Sequence, residues 1–393
     1  MLRYAPSPIG EMHLDSLQIA IVNYLVAQQK NEKLLVRIED INVDKMEEGK
    51  DTEIMMILEK FALKHDSVFH QSEHLNLYQT LALRLLKEKK AFICQCQDEN
   101  SSCSSDCNRL NQEEYKELKE SGRAFIIRIQ KSGDIDDFVI LKADGKPSYN
   151  FACATDDMMS DIELIIRDEK YLNETAKQNY IKNLLGYDKE ANYIHIATLK
   201  DTPSIKSLFE QGFLPDAILN YLILELNPNA PKEIFKLPDS IEWFSLENIP
   251  TEAKYFDFER LQYLNREHLK LIDDKLLSTL FGFADANIGK LAKVYLNECN
   301  TIDELEKKVR TIFQPKDFSS EHGKIMKMLS ELIFEAPIID NFDEFEDYLI
   351  TKSGLSRDEL EEPLQQLLTG TAHGAKLSEI YPYIKSYILE VAS

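Results

Sequence analysis

The chain opens on an apolar strand, "LRYA", a loop broken by Pro6, Pro8 and Gly10, a helix-period run, "SLQIAIVNYLVAQQ", and a second apolar strand, "KLLVRI", that stops at "ED". No other stretch limits the fold as much. Two β-runs separated by one helix start a βαβ unit. The helix-like "EEGKDTEIMMILEKFAL" and the strand-turn-helix segment "HDSVFHQSEHLNLYQTLALRLLKEKKAF" continue the alternation, so an α/β domain begins the chain.

The alternation then breaks. A cysteine-rich stretch, "CQCQDENSSCSSDC", and "LNQEEYKELKESG" intervene, after which "AFIIRIQ" and "DFVILKADGKPSYNFACATDD" return to strands with a hairpin-like "ADGK" between them. The α/β pattern resumes at "DIELIIRDEKYLNETAKQNYIKNLLGY", and helices dominate beyond about residue 200. A chain of 393 residues exceeds one ordinary core.

The formal charge of −22 argues against bulk electrostatic binding of nucleic acid, DNA above all. Residues 291–393 carry 11 Lys and Arg against 19 Asp and Glu, so no basic tail offsets it. Any RNA is then held by shape and a few placed cations. The longest apolar candidate, "FLPDAILNYLILEL", contains Asp216 and Glu225 and is no membrane span, and the first residues are no secretory leader. The expectation is a soluble cytoplasmic protein that is not held at a membrane.

Four of the six cysteines, Cys94, Cys96, Cys103 and Cys107, form two tight pairs. In such a chain metal ligation outranks disulfides, and four thiolates close a tetrahedral Zn2+ site; free or disulfide-prone thiols are the alternative. Cys153 and Cys299 stand alone in apolar contexts and read as small buried hydrophobes. His65, His70 and His74 lack regular ligand spacing and read as surface or turn residues. The aromatic "IYPYIKSYILE" reads as helix core.

In open parallel sheets, ligands bind beyond the carboxyl ends of strands, near helix N-termini that favour anions. "APSPIGEMH" and "RIED" fall there, so Arg3, Ser7, His13, Glu39 and Asp40 converge on one ligand, unless Arg3 and Glu39 are surface charges around a proline-shaped turn. Asp15 and Gln18 have the spacing of a capping box, which makes Asp15 the cap of the first helix.

The ordered segments "RYAPSPIGEMH", "VRIED", "DFVILKADGKPSYNFA", "DD", "IIRDE" and "QGFLPDAILNYL" resemble the glutamyl-tRNA synthetases, class I enzymes of the glutamate and glutamine branch, and the likeness runs over essentially the whole chain. The resemblance implies an α/β, Rossmann-like class I synthetase catalytic domain with an inserted subdomain, followed by all-helical C-terminal domains. It divides the catalytic domain into residues 1–83 and 146–200 around an acceptor-end insertion at 84–145. A helical stem-contact region at 201–290 and a shortened anticodon-binding-like domain at 291–393 follow. A monomer is expected.

The implied reaction is ATP-dependent activation of glutamate and transfer to the 3′ end of tRNA. Carried over residue by residue, Arg3 and Arg167 face the substrate carboxylates, with Ser7, Glu39 and Tyr149 completing the amino-acid pocket. A guanidinium fork matches a planar carboxylate, and a carboxylate suits an ammonium group. The ATP side departs from the family pattern. His13 remains, but Asp15 replaces the expected glycine, filling nucleotide space with negative charge. The lysine-rich loop expected before "GFLP" is shortened by about ten residues, which leaves Lys200, or else Lys206, to meet the pyrophosphate. Asp156 and Asp157 read as a placed, non-catalytic carboxylate pair, and Met158 stands where the family has histidine. The resemblance also places a structural zinc site at the four cysteines. A working ligase with impaired adenylation and an inactive paralogue that binds glutamate, tRNA or a partner synthetase both fit these residues.

Overall fold

The computed structural model describes residues 1–41, 47–96, 103, 107, 109–189 and 191–393. Two compact units result, one of residues 1–206 and 222–256, the other of 207–221 and 257–393.

In the first unit, β1 (Leu2–Tyr4), α1 (Leu14–Lys30) and β2 (Leu34–Ile38) form the expected βαβ unit, with Leu2 beside Leu34 and Tyr4 beside Val36 in parallel register. Both strands are buried along their whole length, as continuous apolar runs in a covered parallel sheet require. α1 stops because Asn31 takes the left-handed conformation at φ 51°, which an L residue adopts most readily as asparagine. After α2 (Lys50–Lys60), β3 (Ser67–His70) adds to the other side of β2. α3 (Leu75–Lys87) leads into a separate antiparallel sheet of β4 (Ala91–Cys94), β5 (Ile126–Ile129) and β6 (Val139–Leu141). α4 (Gln112–Ser121) lies between β4 and β5, begun by a complete capping box of Asn111 and Glu114.

The turn at "ADGK" is present: Lys142 N–H donates to the Lys146 carbonyl. A helix comes next, not a strand. α5 (Tyr149–Met159) begins at "YNF", correcting the reading of "PSYNFACATDD" as strand. Its residues from Phe151 to Asp157 are buried in an unbroken run, a pattern that a buried helix and a buried strand share. β7 (Leu164–Asp168), α6 (Thr175–Leu184) and β8 (Asn192–Ile196) then form a second parallel pair. The side chains of Asn23 and Arg3 both donate to the Ile166 carbonyl, tying α1 and β1 to β7.

Short helices α7 (Ile205–Glu210), α8 (Pro215–Leu226) and α9 (Leu237–Trp243) follow, and α10 (Phe258–Leu271) to α18 (Ile388–Val391) are all helical. In the second unit one apolar core runs from Leu269 to Ala392 and includes Cys299. α12 (Ala286–Val294) approaches the start of α11 (Asp274–Leu280) so closely that a Cβ on Gly289 would collide with the Asp274 carbonyl. In "IYPYIKSYILE", Ile380, Tyr381 and Ile384 are buried, as the helix-core reading required. No helix among the described residues is long and apolar enough to cross a membrane.

Candidate active site

The carboxyl ends of β1, β2 and β7 and the start of α5 surround a cavity of about 200 Å³, and Arg3, Ser7, Glu39, Tyr149 and Arg167 all line it. Its floor is a buried charge network. The Asp157 carboxylate accepts from Arg3 Nε at 3.1 Å and from Arg37 Nη1 at 2.6 Å, and Arg37 Nη2 reaches Glu39 Oε1 at 3.0 Å. Burial alone would raise the Asp157 carboxyl; the two guanidiniums outweigh it and hold the group down to about 2. Burial likewise works against the charge on Arg37, yet Asp157, Cys153 and Glu39 keep its pKa above the ordinary value. Glu39 also accepts from Ser7 Oγ at 3.4 Å and from Cys153 Sγ at 3.3 Å. Cys153 therefore touches the site and is more than an apolar filler.

Asp156, beside it in sequence, has a structural role. It accepts from Gln71 Nε2 at 2.7 Å and from Tyr78 Oη at 2.9 Å, and His74 Nδ1 meets it at 3.1 Å. These bonds fix α3 against α5. His74 thus belongs to this buried cluster, while His70 meets the exposed Asp51 at 3.3 Å.

Arg167 differs from Arg3 and Arg37. Its side chain bonds only neutral groups: Gln178 Oε1 at 2.8 Å, Thr175 Oγ1 at 2.8 Å, the Tyr171 carbonyl at 3.0 Å and His195 Nε2 at 3.2 Å. It is 5% exposed and has no carboxylate partner among the described residues. Burial lowers its pKa, the mark of a cation stripped of water without a counter-ion. Burial, then the adjacent guanidinium, also lowers His195, so the imidazole stays a neutral acceptor. Tyr149 stacks on Tyr171, ring centres 5.5 Å apart, and closes one wall.

A second cavity, of about 430 Å³, adjoins the first and shares Pro6, Ser7, Asp15 and Ser16 with it. His13, Ile54, Leu199, Asp201 and Thr202 also line it. α1 starts at Leu14 with His13 in the N-cap position, so Asp15 does not cap the helix. The capping box fails because both partners are engaged elsewhere: Gln18 Oε1 accepts from Leu199 N–H at 3.0 Å, and Asp15 Oδ1 accepts from Thr202 Oγ1 at 3.3 Å. His13 makes no side-chain cap; its Nδ1 meets the Thr202 carbonyl at 2.7 Å.

The segment after β8 is short and tied at both ends. Lys200 N–H donates to the Lys254 carbonyl, Phe256 N–H to the Lys200 carbonyl, and Ile205 N–H to the Met12 carbonyl. The Lys200 ammonium lies 5.9 Å from the Tyr255 ring centre and does not line the cavity. Lys206 Nζ lies 3.7 Å from Glu11 Oε1. Among the described residues the lining holds three carboxylates, Glu11, Asp15 and Asp201, and neither Lys nor Arg. These residues do not fit the four negative charges of ATP.

The insertion carries a second site. Cys94 Sγ lies 3.3 Å from that of Cys103 and 3.4 Å from that of Cys107, and all four sulfurs, with Cys96, fall within 4.8 Å of one another. Zinc–thiolate bonds of about 2.3 Å in a tetrahedron put sulfurs about 3.8 Å apart, so the four thiols fit that ion. All are free thiols, and burial with the crowding of its neighbours raises Cys103. Asp137 supports the cluster by accepting from Cys103 N–H at 2.7 Å while facing the buried Arg128 at 3.5 Å. The rest of the cysteine-rich stretch lies outside the described residues.

Sequence reasoning missed Arg37 as a site residue. Its signal was a charged residue inside the apolar run "LLVRI", which a covered strand tolerates only when the charge is paired.

Comparison with known proteins places the chain in a family. The profile described as tRNA synthetases class I (E and Q), catalytic domain, matches residues 1–132 and 104–263. "Glutamate--tRNA ligase 2" of Sulfurovum sp. (strain NBC37-1) is 49% identical over 429 residues, and that of Sulfurimonas denitrificans 40% over 438, each covering all of both chains. The 429-residue alignment is 36 longer than this chain of 393, so the Sulfurovum protein carries stretches that this one lacks. The crystal structure of a glutamate tRNA ligase from Elizabethkingia meningosepticum, in complex with its amino acid, superposes with a TM-score of 0.81 at 21% identity, covering 100% of this chain and 98% of that one, which shows the shared fold. With strand-end cavity, helical second unit and full-length likeness all in agreement, the chain belongs to the class I tRNA synthetases of the E and Q branch and is a homologue of the glutamate–tRNA ligases.

Proposed function

We propose that this protein binds glutamate in the first cavity and serves as a glutamate–tRNA ligase, whose family reaction uses ATP to join glutamate to the 3′ end of tRNA. The observation that carries this reading is Arg167, a buried guanidinium held by neutral groups and without a carboxylate partner among the described residues, in a cavity shared with Arg3, Ser7, Glu39 and Tyr149. A substrate carboxylate supplies the missing charge. Glu39, held by Arg37 and Ser7, is placed to receive an ammonium group, and the Tyr149–Tyr171 stack shields the aliphatic stem. The antiparallel insert within 84–145 is the acceptor-end subdomain, and the helices of 201–290 and 291–393 contact the tRNA stem and anticodon arm. Lys200 is left without a role in this reading. Cys94, Cys96, Cys103 and Cys107 hold a structural zinc ion that staples the insert where its own core is small. Elemental analysis should find about one zinc per chain, lost in the Cys94→Ser, Cys96→Ser double variant; protein from zinc-replete cells with no zinc sinks that assignment.

A second reading, glutamate binding without activation, is favoured by the carboxylate-lined second cavity. Glutamate-dependent exchange of labelled pyrophosphate into ATP, run with and without tRNA, separates the two. Exchange supports the ligase. Folded protein that binds glutamate in calorimetry but shows no exchange supports the binding reading, and protein that binds no glutamate overturns both.

A further inference from the structure

We infer that Asp15 is a specificity-determining residue that weakens the binding of a nucleoside triphosphate beside the glutamate cavity; this rests on reading the second cavity as the nucleotide side. Of the four residues common to both linings, Pro6, Ser7 and Ser16 are neutral and Asp15 is an acid. It sits in the first turn of a 17-residue helix, where unpaired backbone N–H groups would otherwise attract an anion, and its carboxylate offsets that attraction. Thr202 Oγ1, donating at 3.3 Å, holds the carboxylate from the opposite wall.

That wall has little room to withdraw. It is tied to Met12 at Ile205, to Lys254 at Lys200 and to His13 at Thr202, and Asp201 between them takes a left-handed turn at φ 54°. The nearby Lys170 ammonium is engaged by Asp168 Oδ2 at 3.2 Å, and Lys206 by Glu11. Lys50, the other cation near Glu11, is engaged by Glu53 at 2.9 Å. Among the described residues a phosphate in the second cavity therefore meets Asp15 before it meets a cation of the lining. A like-charge contact of this kind weakens binding about tenfold.

The test is calorimetric titration of ATP and of adenosine into the full chain, its Asp15→Asn variant and its Asp15→Ser variant, at low and high salt. The Ser variant keeps a polar first-turn residue in case Asn disturbs folding. Both variants should bind ATP about tenfold more tightly than the parent, with a gain that shrinks at high salt. Adenosine, which carries no phosphate, should bind parent and variants alike. Equal ATP affinity in parent and variants that bind adenosine overturns the inference, as does an equal gain for adenosine, which would make the effect steric. Failure of adenosine to bind any of them removes the nucleotide reading of the cavity and the inference with it, while glutamate binding is judged separately by Arg167→Ala.

Discussion

The two adjoining cavities are built on opposite electrostatic plans. In the first, Arg3, Arg37, Asp157 and Glu39 are all buried and paired, while Arg167, the lining guanidinium, has no carboxylate partner among the described residues. In the second, three carboxylates line an open wall that has no lysine or arginine among the described residues. Burial explains the contrast. A charge removed from water must be paired in good geometry, so the first cavity tolerates few changes. Partly solvated carboxylates are screened and carry little structural penalty, so the second is free to change.

The contrast fails most visibly if the first network proves dispensable. Asp157→Ala takes away the carboxylate that two buried guanidiniums share and leaves Arg3 without an ion-pair partner among the described residues, so it should cost about 3–5 kcal/mol in chemical denaturation; a loss below about 1 kcal/mol breaks the comparison. Next in size, Arg167→Ala should weaken glutamate binding about a hundredfold, because a charge-assisted bond in a buried site contributes about 1.5–3 kcal/mol. Unchanged glutamate affinity removes the pocket assignment.

Acid gives a smaller effect of definite sign. Asp157 titrates at about 2 in the folded chain and near 4 unfolded, so its contribution is complete above about pH 5 and is lost as pH falls toward 2. Stability should therefore rise with pH across that window by roughly 2 kcal/mol from this group, and the rise should be missing in Asp157→Asn if that variant folds. The smallest change belongs to the second cavity. Glu11→Gln and Asp201→Asn should leave the melting temperature unmoved, and a clear drop would show that this wall, too, is structurally bound.

The same contrast decides what could be read from the residues. The βαβ opening was legible because β1, α1 and β2 carry distinct apolar periods. Arg3, Ser7, Glu39, Tyr149 and Arg167 were named from short segments far apart in the chain, and the fold gathers them on one cavity. The helix α5 was misread because its unbroken buried run from Phe151 to Asp157 shows no solvent face to betray its period. Asp15 was misread because local spacing favours a capping box, whereas Thr202 and Leu199, remote in sequence, claim both members of the pair.

The sequence by itself determined the parallel α/β opening, the cysteine cluster and the helical remainder, since these depend on periodicity and side-chain chemistry that neighbours in the chain already carry, while the candidate pocket residues were named by resemblance of short segments. Only the tertiary structure decided that Asp157 binds two arginines, that Arg167 is held by neutral groups alone, and that Asp15 stands in the wall between two cavities. Pairing, desolvation and the sharing of a wall are properties of distance in space, and side chains as remote as Arg3 and Asp157 acquire them only when the strands and helices close around them.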